Sequence, residues 1–370
     1  LSAETIRRPA EINRADELAA LRANDRWPRP AGWQLSPRMV EAFILGSPEP
    51  LPSPEGRLIP ITPKFVGDRR LVQVAIATLA SDRALMLTGD PGTAKSWLSE
   101  HLAAAISGTS QLIVQGTAGT TEEQIKYSWN YALLIAEGPS RRALVESPIL
   151  RGMQRGLLVR FEEMTRCAAE VQDALISILS EKQIAIPELD DVVAAQRGFA
   201  LIATANTRDR GVNDMSAALK RRFNFVTIPV IADVEQEARI VEMRSRELLT
   251  ELGAPAEVPR DLVQLLATVF AELRRGQTLD NTAKVKSPST ALSTAELISV
   301  VASGGLLGSF FGDGRAALRD CFAGLVGAVA KENQKDLDVL REYLETVAKS
   351  RRDGLWPEFY LAGLEGLRAE

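Results

Sequence analysis

A single histidine and two cysteines among 370 residues exclude whole classes of chemistry. His101 alone cannot build a polyhistidine zinc site and leaves a Ser-His-Asp triad poorly supplied. Cys167 and Cys321 are too few for a disulfide framework or a cysteine-rich metal centre. With no export signal legible near the N-terminus, they point to the cytosol. Charge of one sign is also scarce. Forty-four basic against 48 acidic residues leave a net charge of −4, which gives no global field for a phosphate backbone and disfavours nucleic acid as a partner. Long apolar runs are missing too: the stretch 297–311 falls short of the roughly 18 to 20 residues of a membrane span. It also carries Ser303, Gly304, Gly305, Gly308 and Ser309, and so reads as a buried helix.

What is present is 45% hydrophobic and 25% charged, over a length too great for one ordinary core, so two packed units are expected. Prolines recur from Trp27 to Pro63 and forbid a long helix there, so residues 1–60 read as an N-terminal helix over 15–23 and a proline-rich strap with a short helix around 38–45. Between 61 and 230, helical patterns alternate with short apolar runs at 84–88, 111–114, 157–161 and 199–203. That alternation predicts an α/β unit around a mainly parallel, buried sheet. After Pro229 the strand signals stop, and helical patterns at 234–249, 260–275, 290–307 and 315–349 predict an all-α unit over 231–370.

Directly after the run 84–88 stands Gly89-Asp90-Pro91-Gly92-Thr93-Ala94-Lys95-Ser96, followed by a helical pattern. Strand, glycine-bearing loop and helix N-terminus in that order form a phosphate cradle. Lys95 is placed to reach the β- and γ-phosphates of ATP and Ser96 to offer its hydroxyl to Mg²⁺. Ala94 stands where the P-loop pattern has glycine, which the loop tolerates if φ is negative there. A phosphate loop calls for a second strand ending in carboxylates, and 157–161 runs into Glu162 and Glu163. A third strand ends in Asn206, whose amide can donate to a γ-phosphate or hold an attacking water; an Asx turn is the plainer alternative. Lys220, Arg221 and Arg222 sit at a helix C-terminus, where the helix dipole favours cations whatever their role.

Together these residues resemble an AAA+ ATPase, and within that class the MoxR family, over about residues 61–310. The loop at 89–96 resembles the family's Walker A, Phe161-Glu162-Glu163-Met164-Thr165-Arg166 its Walker B, Ala203-Thr204-Ala205-Asn206 its sensor 1, and Ala218-Leu219-Lys220-Arg221-Arg222-Phe223 its arginine-finger segment. Residues 116–134 look like its helix-2 insert, 181–197 like its pre-sensor hairpin, and Phe65-Val66-Gly67 like its adenine-side contact. The resemblance implies a P-loop NTPase three-layer α/β domain followed by an AAA+ helical lid, binding ATP and Mg²⁺. It implies a homo-oligomeric ring, a hexamer, acting as a chaperone-like remodeller on a protein substrate or with a von Willebrand factor A domain partner. The implied roles are Lys95 on the phosphates, Ser96 and Glu162 on magnesium, Glu163 polarising water, Asn206 orienting it, and Arg222, ahead of Arg221, reaching a neighbouring subunit.

Two departures stand out. Glu162 occupies the place of the usual Walker B aspartate, so that Glu162→Asp should be tolerated and hydrolysis as it stands should be slow. Ser287-Pro288 is followed by Ser289 where the family's sensor 2 has arginine, so that either Lys284 or Lys286 substitutes or the contact is absent. Two other functions therefore stay open: a nucleotide-gated scaffold of very slow turnover, and a DNA-directed motor like the restriction GTPases. Among weaker signals, Tyr127, Trp129 and Tyr131 follow a capping box at Thr121-Glu122-Glu123-Gln124; in a ring they could grip a threaded chain, but read as helical they fall on different faces, and half-buried packing is the expectation. Gly312-Asp313-Gly314 reads as a turn between helices and His101 as a packing residue.

Overall fold

The computed structural model describes residues 7–206, 213–289, 292–331 and 333–368. It falls into two compact units, one of Leu1–Asp90 with Ala94–Pro229, the other of Val230–Glu370 with the loop residues Pro91–Thr93.

The first unit is built on a five-stranded parallel sheet: β1 (Ala84–Gly89), β2 (Ile113–Gln115), β3 (Leu158–Glu162), β4 (Ala200–Asn206) and β5 (Phe223–Thr227), in the order β5-β1-β4-β3-β2. Side chains alternate along each strand, so Leu85, Leu87, Leu158, Ile202 and Val226 enter one apolar layer while Ala84, Met86, Val159, Phe161, Ala203 and Phe223 enter the other. The sheet, buried on both faces, is the expected three-layer arrangement. β5 carries no expectation from the sequence, because Phe223-Asn224-Phe225 interrupts its apolar pattern. It lies at the sheet edge, where Phe225 is exposed.

Residues 1–60 are no mere link. Helix α1 (Pro37–Leu45), capped by Ser36, places Met39, Val40, Phe43 and Ile44 in the same layer as Leu85 and Leu87. That layer also takes in α2 (Arg69–Leu79) and α3 (Lys95–Ser107), through Val72, Ile76, Leu98 and Leu102. Leu18 and Leu21 from the helix Ala15–Asn24 join it, and Glu100 of α3 accepts the Ala10 N–H at 3.1 Å.

Two insertions interrupt the sheet. The first holds an antiparallel pair, Tyr127–Trp129 with Leu144–Glu146, enclosing the helix Tyr131–Glu137. Tyr127 and Trp129 therefore lie on a strand rather than a helix: period two is the strand period, so they share a face and meet edge-on with centroids 6.0 Å apart, half-buried, while Tyr131 is exposed. The capping box at Thr121 and Gln124 is formed. The second insertion is the hairpin Gln183–Ile186 with Asp191–Ala194. Tyr127 donates to Glu188 at 3.0 Å and Arg141 pairs with Asp191, so the two insertions are pinned to each other.

The second unit is helical among the described residues: α4 (Val234–Glu251), α5 (Arg260–Arg275), α6 (Thr294–Phe311), α7 (Leu318–Ala330), α8 (Asp336–Thr346) and α9 (Trp356–Gly366). The pattern read as one stretch over 315–349 splits into α7 and α8; the start of the pattern at 290 lies outside the described residues. Helix α6, which a Ser293–Glu296 capping box opens, is long and apolar enough to cross a membrane by length and composition alone. Its residues Leu297, Val300, Val301, Gly304 and Gly305 are buried in the unit's own core, where a Cβ on Gly304 would lie 2.3 Å from the Cys321 sulfur. It is a core helix.

Candidate functional site

Parallel pairing aligns Asn206 with Gly89 and Gln115 with Glu162, so the C-terminal ends of β1, β3 and β4 meet at one sheet edge. Ligands of open α/β sheets bind at that edge. Gly89, Gly92 and Ala94 all have positive φ (150°, 74° and 64°), and left-handed residues of this kind occur in the turns whose N–H groups bind anions. Ala94 thus contradicts the negative φ its methyl group would prefer: an L-residue in the left-handed region costs about 1–2 kcal/mol, and the loop carries that strain. The Lys95 ammonium folds back over the loop, donating to the Gly89 carbonyl at 3.0 Å and the Asp90 carbonyl at 2.7 Å.

Glu162 is buried at the end of β3 and fully engaged. Ser96 donates to its Oε2 at 2.6 Å and Thr204 to the same atom at 2.8 Å, while its Oε1 takes bonds from Ser99 at 2.5 Å and Arg160 at 2.9 Å. Burial would push this carboxyl up, but Arg160 and the hydroxyls of Ser96, Ser99 and Thr204 outweigh it and hold the pKa below the ordinary carboxylate value. The meeting of Ser96 Oγ with a carboxylate is an oxygen-only donor pair of the kind Mg²⁺ takes in nucleotide sites, where phosphates and water complete the shell. Among the described residues there is no cluster of three or more His, Cys, Asp or Glu that would cage a metal without such help.

The backbone of Glu163 is left-handed (φ 53°), and Thr204 receives its N–H at 2.9 Å. One hydroxyl therefore serves both carboxylate residues. The Glu163 side chain turns outward to Arg166, at 2.9 Å. Gly116, at the root of the first insertion, donates to the Glu162 carbonyl at 2.7 Å, and a Cβ there would lie 2.4 Å from the Glu163 carbonyl oxygen; the close approach requires glycine.

The remaining predicted positions separate. Arg222 is tied to its own unit, through Nε to Ser180 at 2.9 Å and Nη1 to the Ala218 carbonyl at 2.6 Å, whereas Arg221 is exposed with no side-chain partner among the described residues. Phe65 is buried in the core, leaving half-buried Val66 and exposed Gly67 at the surface. Lys286 pairs with Glu342 at 2.6 Å, and the backbone of Lys284 forms a β-bridge with that of Gln277. His101 is buried, stacked 4.2 Å from Trp97. Ser99, Arg160 and Thr204 escaped the sequence reading. Ser99 lies one helical turn from Ser96, and Arg160 and Thr204 each lie two residues before a named site residue on a strand, so spacing alone could have found them.

Residues 84–223 match a family described as AAA domain (dynein-related subfamily), and residues 235–360 one described as YehL-like AAA+ ATPase C-terminal domain. The Escherichia coli (strain K12) protein named "Uncharacterized protein YehL" is 45% identical over 359 residues, 96% of each chain. Among solved structures, NtrX from Brucella abortus in complex with ATP is 16% identical, with a TM-score of 0.47, covering 83% of this chain and 69% of that one. The ADP complex of NtrX is 15% identical, with a TM-score of 0.46, covering 67% of this chain and 52% of that one. Likeness at that level says nothing about activity.

Proposed function

Because the chain belongs to the YehL-like AAA+ ATPases, we propose that it hydrolyses ATP with Mg²⁺ at the edge formed by β1, β3 and β4. The observation that carries this reading is the convergence of Ser96, Glu162 and Thr204 beside a positive-φ phosphate loop. Lys95 and the loop amides would neutralise phosphate charge, with Val66 and Gly67 beside the base. Ser96 and Glu162 would hold Mg²⁺, which when bound offsets phosphate charge. Glu163, released from Arg166, polarises the attacking water, and Asn206 orients it. Arg222 or Arg221 completes a neighbouring subunit's site in a MoxR-type homo-oligomeric ring, a hexamer, that remodels a protein substrate, with a von Willebrand factor A domain protein as partner. The proposal includes a cytosolic location, supported by two free, buried thiols.

A scaffold that binds ATP and turns it over very slowly is the second reading, favoured by the full engagement of Glu162. Steady-state phosphate release measured beside fluorescent ATP-analogue binding separates the two. Lys95→Ala is expected to weaken binding or abolish turnover without moving the unfolding midpoint; unchanged turnover would overturn the assignment. Glu163→Gln is expected to bind ATP and keep it.

A further inference from the structure

Strand β3 carries a cation where its neighbours are apolar. Arg160 lies between Val159 and Phe161 and is itself buried. A guanidinium is costly to bury unless its donors are met, and these are: Nε to Ser99 Oγ at 3.0 Å, Nη1 to the Ser110 carbonyl at 3.3 Å, and Nη2 to the Ser96 carbonyl at 3.1 Å and to Glu162 Oε1 at 2.9 Å. The strand period puts Arg160 and Glu162 on the same face, toward α3, where Ser96 and Ser99 are one turn apart.

Resting on the nucleotide-site reading above, we propose that Arg160 is a positioning residue for the metal-binding carboxylate and that Arg160 and Glu162 act as a matched pair. Glu162 is one methylene longer than the aspartate expected at its place. Arg160 takes up that length: it holds Oε1 back against the sheet, together with Ser99, so that Oε2 alone lies on Ser96 Oγ. An aspartate here cannot span Arg160, Ser99 and Ser96 at once, and the guanidinium draws its shorter carboxylate away from Ser96. The tolerance of Glu162→Asp expected from sequence is therefore reversed. Glu162→Asp alone is a damaging change, and it becomes tolerable only when Arg160 is also made apolar.

The test compares wild type, Arg160→Leu, Glu162→Asp and the double variant, reading fluorescent ATP-analogue binding across a Mg²⁺ titration and in EDTA. Each single change is expected to raise the Mg²⁺ concentration for half-maximal effect by about tenfold or more, the usual loss when a group supporting a metal ligand is removed. The double variant is expected to return to within about threefold of wild type, since neighbours in one network are not additive. If the double variant shows the product of the single effects, or Glu162→Asp alone leaves the Mg²⁺ requirement unchanged, the pairing is wrong. Glu162→Asp still tests the pairing if Arg160→Leu fails to fold, and Arg160→Lys, which keeps charge but loses the planar fork, is then expected to raise the requirement as well. A wild type whose analogue binding ignores Mg²⁺ and survives Lys95→Ala would instead overturn the nucleotide-site reading itself.

Discussion

Thr204→Val removes one hydroxyl and almost nothing else. The side chain is 2% exposed on β4, and valine fills the same volume. Two bonds go: the donation to Glu162 Oε2 at 2.8 Å and the acceptance of the Glu163 N–H at 2.9 Å. A bond to a charged group is worth about 1.5–3 kcal/mol, and an amide left unmet when buried costs about 1–3 kcal/mol. Glu162 keeps three other donors, so its share falls at the low end, whereas the Glu163 amide has lost the bond that holds a left-handed backbone, itself strained by about 1–2 kcal/mol. Relaxation of Glu163 is the expected response. If about 2 kcal/mol of that appears as misplacement of the carboxylate proposed to polarise water, turnover falls about thirtyfold. The affinity for an ATP analogue, assigned in the proposal to the phosphate loop, is expected to change less than about threefold. Thr204→Ser keeps both bonds and is expected to recover most of the rate. Phosphate release, analogue binding and urea unfolding on the three proteins decide it. Turnover of Thr204→Val within twofold of wild type, or a serine variant no better than valine, would refute the reasoning.

Ala94→Gly relieves about 1–2 kcal/mol of left-handed strain and gives back about 0.5–1 kcal/mol of chain entropy, so the unfolding midpoint of the α/β unit is expected to rise slightly; a fall would show that the loop is not strained there. Arg221→Ala and Arg222→Ala, each mixed with Lys95→Ala under subunit exchange, are expected to recover activity if the altered arginine serves a neighbouring site. Arg222→Ala should also lower the unfolding midpoint by its bonds to Ser180 and Ala218, which Arg221→Ala should not. Burial, with the bond to Glu188 and its charge, pushes the Tyr127 phenol up to about 12. A raised folded-state value means that its stabilisation is complete below the unfolded value near 10 and is lost as pH climbs through about 12. Wild type should therefore differ from Tyr127→Phe by a constant amount of stability below pH 10 and lose stability relative to it as pH rises from 10 toward about 12, as urea unfolding across that range will tell.

The parts of the site that are contiguous in the chain could be read without coordinates. A strand, a glycine loop and Lys95-Ser96 follow one another without a break over residues 84–96, and the adjacent pair Glu162-Glu163 directly ends a buried run. What could not be read was pairing across elements. Ser99, Arg160 and Thr204 look ordinary until α3, β3 and β4 bring them to one carboxylate. Local patterns also misassigned Tyr127 and Trp129, because helix and strand periods cannot be told apart over three residues, and they gave no sign that φ at Ala94 would be positive. Strand β5 went unnoticed because Asn224 breaks its apolar run between Phe223 and Phe225.

The N-terminal strap has a consequence for the order of synthesis. Leu18, Leu21, Val40, Phe43 and Ile44 are made first, yet the surface that buries them is completed by Leu98, Leu102 and Ile106, and then by Leu158, Ile202 and Val226. Val226 leaves the ribosome roughly 200 residues after Leu18, which at about 5–20 residues per second is a wait on the order of ten to forty seconds. Through that interval the strap is an apolar segment without the layer that finally covers it.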